Sequence, residues 1–562
     1  MNTRYRTAIV LLTLLTAPSA LPAQQKIDPT LEVTREFDGR MMNIHKSPLS
    51  TKTADSLRNF ALDFNYTIFD KPYRDLYEFT PAASAAILSR PAREWPLLLL
   101  KGGISLPFTP EAQLYFQPNL NKGNFLSVEG GYTCFQDNLP IAELGATDNR
   151  VIKGNRAIAD CSEYRAAVGY GKYWKKDMLN ISVDYTGGSG NYYGPDSHTY
   201  NMVEASVRAG SIGKGGRRMN YSINIKFRHT SDKSTTDPLA LNENYFAATV
   251  EVGPNFGRYN KLTILLNSEN LFYSAIQKYN CGIFEGMVRY RFEKGRFLLL
   301  AGSKISGDYV SSERKEINEF YSPIFLNATL SLELIKKRMW LYGEIGGGNR
   351  LNSYFSTIEK GIRLSQKADL IATTLPLTIK AGIKGNIRSR LSYNLFADYS
   401  YIDGLQQFIN DEGTNRLSAI YTKTRILSLG VEAGYAGKRV NGYAKFSHSF
   451  FYDKERKGVP GSHFGYAPTT LDLSLEYNYR ERIYIGTKII CRSKCDLYDS
   501  RFAGPVFQAP SYLNLGLNIT YRLNSRFAFY AKGENLLDKI IMQTPLYIEK
   551  GVSAGVGIIV KF

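Results

Sequence analysis

Five histidines (His45, His198, His229, His448, His463) and five cysteines (Cys134, Cys161, Cys281, Cys491, Cys495) are where metal or nucleophilic chemistry would rest. No pair of histidines stands in H-E-x-x-H spacing, the pattern that sets two imidazoles on one helix face for zinc. The odd cysteine count argues against a complete disulfide framework. Cys491 with Cys495, and Cys134 with Cys161, are the two pairs that could close loops in an oxidising compartment. Gly210-Ser211-Ile212-Gly213-Lys214-Gly215-Gly216 has the glycines of a phosphate loop without its closing Lys-Ser/Thr, and reads as a turn. Gly187-Gly188-Ser189-Gly190 reads as the start of a loop. The expectation is a chain with no catalytic residue, no cofactor and no metal. A hydrolase scattered along a rim, using His229 or His448, is the remote exception.

Charge is the more informative chemistry. Lys226, Arg228, Arg289, Arg291 and Lys445 alternate with apolar residues. So do Lys380, Lys384, Lys488 and Lys532, and the acids Asp184, Glu251, Glu333, Asp398, Glu432 and Glu476. Period-two alternation puts charges on one face of a strand and apolar residues on the other. A packed soluble core rejects such a face, whereas a water-filled lumen accepts it. This predicts a lumen of mixed charge, slightly basic.

The elements that position these residues are strands. From about Pro96 to Phe562, segments of roughly ten residues alternate apolar and polar, the pattern of membrane strands. Tyr221, Ile223, Ile225 and Phe227 share one face, with Asn220, Ser222, Asn224 and Lys226 on the other. Leu471 to Asn478 and Leu513 to Thr520 repeat the pattern. Tight connections such as Lys336-Lys337-Arg338 and Arg480-Glu481-Arg482 alternate with long polar ones, Gln136–Asp160, Asp308–Ser322, Asn349–Asp369, Gly404–Lys423, Asp453–Thr469 and Lys494–Pro510. The fold class predicted is an all-β, transmembrane, antiparallel up-and-down barrel of about 22 strands. The last strand is apolar at every second position, Val552, Ala554, Val556, Ile558, Val560 and Phe562, and ends on an aromatic residue, the signal that outer-membrane assembly machinery reads.

Length and composition agree. The chain has 562 residues, 43% hydrophobic, with 39 Tyr and 30 Phe against 3 Trp. After residue 23 no apolar run is long enough for a membrane helix, so a membrane-embedded chain must cross as a closed barrel. Residues 1–23 read as a signal peptide: Arg4 and Arg6, then the apolar run Ala8–Leu15, then small residues up to Ala23. Residues 24–95, broken by Pro72, Pro81 and Pro91, read as a periplasmic or lumen-lying extension with one short alternating run at Leu62, Phe64, Tyr66 and Ile68. Net charge is +19, and +17 once Arg4 and Arg6 are removed. In a secreted chain that charge implies membrane lipids, lipopolysaccharide and anionic solutes as partners, and no nucleic acid.

The stretch Tyr530-Ala531-Lys532-Gly533-Glu534-Asn535-Leu536-Leu537-Asp538-Lys539, followed by a terminal strand ending in Phe562, resembles the TonB-dependent receptors, particularly the Bacteroidetes forms. The resemblance is specific over roughly the last 50 residues and architectural before that. It implies a 22-strand outer-membrane barrel of a Gram-negative bacterium. The 24–95 extension is too short for that family's plug domain, so a standard plug is expected to be missing. Thr30–Thr34 is a faint counterpart of the TonB-contacting box. Two functions compete on this reading. One is uptake of an anionic or glycan-like solute, with TonB as a partner. The other is a non-conducting barrel that serves as a structural or assembly partner for lipoproteins or periplasmic proteins.

Overall fold

The computed structural model describes residues 97–562, apart from 119, 121–122, 145–150, 175, 192–196, 212–218, 235–240, 257–258, 275–277, 313–314, 322, 360–363, 366–369, 389, 411–415, 454–462, 503–504 and 546–547. The segments read as a signal peptide and as the 24–95 extension, with His45 and Thr30–Thr34, and the glycine-rich stretch 212–216 read as a turn lie outside the described residues.

The wall is one antiparallel sheet in which each strand pairs with its chain neighbour, from Leu98–Leu106 to Ser553–Lys561. Those two strands then pair with each other, Leu99 with Lys561 through Leu106 with Ala554, and the cylinder closes. Closure leaves no unpaired edge, so the strands satisfy their backbone polar groups against one another without water. One segment of the sheet, Lys315–Tyr321, only lengthens the outer end of Phe297–Ser312; the wall itself has 22 strands. The barrel class and strand count read from the alternation therefore hold.

Alternation places the side chains as expected. Ile324 (73% exposed), Leu266 (58%) and Val556 (61%) face outward, where only a lipid environment removes the cost of exposing them. Val552, Ile558 and Phe562 of the last strand are outward and exposed as well. On the inner face, hydroxyls meet across strands: Ser182 with Ser206 at 2.7 Å, Ser428 with Ser449 at 2.8 Å, and Ser447 with Thr470 at 2.8 Å.

The two rims differ. One has short turns and both ends of the wall, where Phe562 donates its N–H to Leu98 O at 2.8 Å. Gly295 turns there with φ 62°, and Arg480 and Glu481 are both in the left-handed region, with Asn478 Oδ1 accepting the Glu481 N–H at 2.8 Å. The other rim carries the long connections, several of which depart from the sequence reading. Gln136–Asp160 is a paired hairpin for most of its length, because Asn124–Leu144 and Val151–Tyr173 stay paired out to Leu144 with Val151, across one register shift between Pro140 and Ala142. A strand of 21 residues reaches about 70 Å, beyond what a tilted strand needs to cross a bilayer. Outside lipid neither face has to be apolar along its whole length, the alternation fades, and the sequence resembles a loop. For the same reason strand pairing continues into Asp308–Ser322 and Gly404–Lys423. Gly187–Gly190, read as a loop start, lies in the strand Asp177–Asn191.

Candidate functional site

The mouth at the long-loop rim gathers the chemistry. Residues 351–359, within the segment read as a polar loop, fold inward around the five-residue helix Tyr354–Ile358, capped by Ser353, whose hydroxyl accepts the Ser356 N–H. Tyr354 is 2% exposed and packs with Leu241, Leu271, Tyr273, Leu364, Leu370 and Leu417. Its hydroxyl donates to Asp232 and its backbone N–H to Glu243. Burial, with the Asp232 carboxylate beside it, holds the Tyr354 hydroxyl protonated far above its ordinary range. The Phe355 N–H also reaches Glu243, at 3.4 Å.

Arg228 joins this helix to the wall. Its guanidinium lies 3.7 Å from Glu204 and 3.6 Å from Glu243, donates to Ser353 Oγ at 3.3 Å, and stacks over Tyr245 (4.7 Å) and Phe355 (4.4 Å). Lys226 pairs with the same Glu204 at 2.9 Å, and His198 approaches Asp232 at 3.4 Å. A buried carboxylate such as Glu243 needs its partners, and Arg228 with the helix amides supplies them. The arrangement is a clamp that ties a loop to the inner wall.

Other loops tie in across the mouth. Leu364 bridges to Leu417, and Asn410 to Asp499. Asp499, fully buried, accepts from Asn410 Nδ2 at 3.0 Å and from Arg501 Nε and Nη2 at 3.0 and 2.7 Å. A small hairpin, Cys495–Tyr498 with Val506–Ala509, packs Leu497 and Phe507 against Ala142, Val151, Met542 and Ile548. Burial pushes the Cys495 thiol up to about 12.

The residues expected in the lumen all fall on the inward parity; Lys226 and Arg228 share Glu204 at the mouth, and the others are spread along the wall. Lys445 lies opposite Glu432 at 3.1 Å, and Arg291 meets Glu293 at 2.6 Å near a short turn, on the same strand face as Arg289. A further inward cluster at the closing seam had no sequence signal beyond Lys532. Glu111 accepts from Lys532 at 2.8 Å and from the Tyr530 hydroxyl, with Lys101 at 3.6 Å. Gly103 and Gly557 make room for the Tyr530 side chain: a Cβ on Gly103 would lie 2.2 Å from its hydroxyl, and one on Gly557 2.3 Å from its ring. Its partners lie up to 421 residues apart, so only barrel closure unites them.

Several smaller expectations change. No disulfide joins the five cysteines. Cys134 stands opposite Ser162 and Cys161 opposite Phe135, which puts the two sulfurs on opposite faces of the sheet. His229 and His448 take the outward parity, bonded to Asn244 and Thr469 at 2.8 Å each. His198 ends a strand, and His463 stacks on Phe451 at 4.5 Å. Gly551-Val552-Ser553-Ala554-Gly555 spells G-x-S-x-G. It opens the terminal strand in continuous antiparallel pairing, with no helix behind Ser553, so it is not a nucleophile elbow. Among the described residues no three His, Cys, Asp or Glu side chains stand close enough to hold a metal, and no helix is long and apolar enough to cross a membrane.

No family model matches the chain, and no curated protein matches it. Solved structures do. The copper transporter OprC aligns with TM-score 0.63 at 12% identity, covering 84% of this chain and 82% of that one. The FrpB iron transporter from Neisseria meningitidis (F3-3 variant) gives the same four values. The ferric-catecholate import receptor Fiu from E. coli K12, in its closed form, aligns with TM-score 0.63 at 10% identity over 84% and 82%. At such identity the likeness is one of fold: this chain shares the barrel architecture of these two transporters and the import receptor.

Proposed function

We propose that the protein is a gated transport barrel of the Gram-negative outer membrane, of the TonB-dependent-receptor kind, that takes up a polar solute too large for general porins. One observation carries this reading. A 22-strand wall encloses more space than its side chains can fill, and the loops over its mouth are anchored to the charged inner wall at Arg228 and Glu243. A purely structural barrel has no need of a wide lumen with a fastened entrance.

The solute class follows from the inner wall. Lys226, Arg228, Arg291 and Lys445 each have a carboxylate within 4 Å, so little net field is left to hold a free anion. Hydroxyls, amides and tyrosines between them favour a glycan-like ligand recognised by hydrogen bonds. TonB would supply energy coupling through the N-terminal region, and Val552 to Phe562 would be the strand read by the assembly machinery.

The test is reconstitution in planar bilayers and liposomes. The expected result is low resting conductance, with solute entry that rises when the mouth loops are cut. A barrel that conducts nothing in either state and co-purifies stoichiometrically with a lipoprotein would replace this reading with the scaffold one.

A further inference from the structure

In the lumen Lys226, Arg228, Arg291 and Lys445 are ion-paired, whereas the exposed cations of the short-turn rim are not. Among the described residues, thirteen exposed lysines and arginines occupy seven short turns, and none of them forms an ion pair. The turns at 336–338, 388–390, 437–439 and 480–482 carry two or three each. Two exposed carboxylates share the seven turns, Glu293 and Glu481, and Glu293 is held by Arg291. Outward aromatics stand just inside the same rim, among them Tyr290, Tyr435, Tyr479, Tyr521 and Phe527. Aromatics of this kind mark the depth at which lipid headgroups begin.

We propose that this rim is a binding ring for the anionic phospholipid headgroups of the inner, periplasm-facing leaflet. The orientation follows from short turns and both wall ends lying on one side, the periplasmic arrangement of such barrels. The distribution selects the occupant. The basic turns recur around the circumference, from residue 176 to residue 526, rather than gathering into one patch. A docked acidic protein would cover one arc and leave the rest unsatisfied. Lipids surround the whole barrel, and each turn meets its own phosphates. A cation close to an anionic leaflet gains about fivefold in local partition at low salt, and screening erodes that gain within a Debye length.

The experiment uses the full chain in nanodiscs of phosphatidylcholine with a minor fraction of phosphatidylglycerol. The lipid retained with the protein after mild detergent is quantified by mass spectrometry. The expected result is several-fold enrichment of phosphatidylglycerol, reduced by 0.5 M salt. In the variant Lys336→Gln, Lys337→Gln, Arg338→Gln, Arg388→Gln, Arg390→Gln the enrichment should fall, with the heat-modifiable gel shift of a folded barrel retained. Exchanging Lys for Arg and Arg for Lys at those positions should restore it. Retained lipid of bulk composition in the unmodified protein, or equal enrichment in the Gln variant, would overturn the proposal. Capture of polyglutamate in neutral-lipid discs without phosphatidylglycerol enrichment would also overturn it, in favour of an acidic protein partner.

Discussion

Replacing Tyr354 with alanine should open the mouth and leave the wall standing. Tyr354 is the largest fully buried side chain of the folded-in segment, and the cluster around it joins strand residues Leu241, Leu271 and Tyr273 to loop residues Leu364, Leu370 and Leu417. Truncating a buried aromatic residue costs about 3–5 kcal/mol. The loss falls on segment 351–372, because the 22 strands are held by their own ladders. Three kcal/mol is about a 150-fold rise in the ratio of open to closed segment. Tyr354→Phe keeps the packing and removes only the hydroxyl donated to Asp232, so its effect should be about tenfold or a little more. The assay is the rate of limited proteolysis within 351–372, with single-channel conductance in parallel. Both should rise steeply in Tyr354→Ala and modestly in Tyr354→Phe, with the thermal midpoint of the barrel little changed. If Tyr354→Ala lowered that midpoint while proteolysis and conductance stayed as in the parent, the segment would be part of the wall and the gate would not exist.

Three further outcomes are expected. Leu475 (47% exposed) faces outward and its neighbour Ser474 inward, so Leu475→Arg should cost about 2–4 kcal/mol of barrel stability in lipid and Ser474→Arg little; equal costs in urea titrations would contradict the two-faced wall. Asp499→Asn leaves Arg501 facing a neutral amide in a buried site, costs about 3 kcal/mol locally, and should speed cleavage within 493–511, whereas an unchanged rate would mean that the Asn410–Asp499 tie does not hold the hairpin. Burial pushes the Glu549 carboxyl up to about 8, in a rim segment where Gln543 Nε2 donates to it at 3.2 Å. The folded form thus prefers the proton, and its stabilising effect, full below the ordinary carboxylate range, drains away as pH rises through 8. Amide exchange across 539–550, corrected for intrinsic rates, should accelerate as pH rises from the ordinary carboxylate range towards about 8 and level off above it in the parent, and stay flat in Glu549→Gln; matching pH profiles would refute that assignment.

The sequence by itself determined the wall. A strand with lipid on one side and water on the other must alternate, so Tyr221 to Phe227 against Asn220 to Lys226 already names the two faces, and repetition of that pattern sets the count near 22. Tight turns announce themselves because two strands end within a few residues of each other, as at Lys336–Arg338. Beyond the membrane this constraint disappears. The outer half of the Asn124–Leu144 and Val151–Tyr173 hairpin stands clear of the lipid-facing wall, with Ala142 and Val151 packed under other loop residues, and it carries no plain period-two signal. The sites depended on tertiary structure for a different reason. Arg228 and Ser353 are 125 residues apart, and Tyr530 and Glu111 are 419 apart. No spacing rule spans such distances. Parity could say that Arg228 faced the lumen, but only strand registry and loop infolding decided that Glu204, Glu243 and the helix at Tyr354 would meet it there.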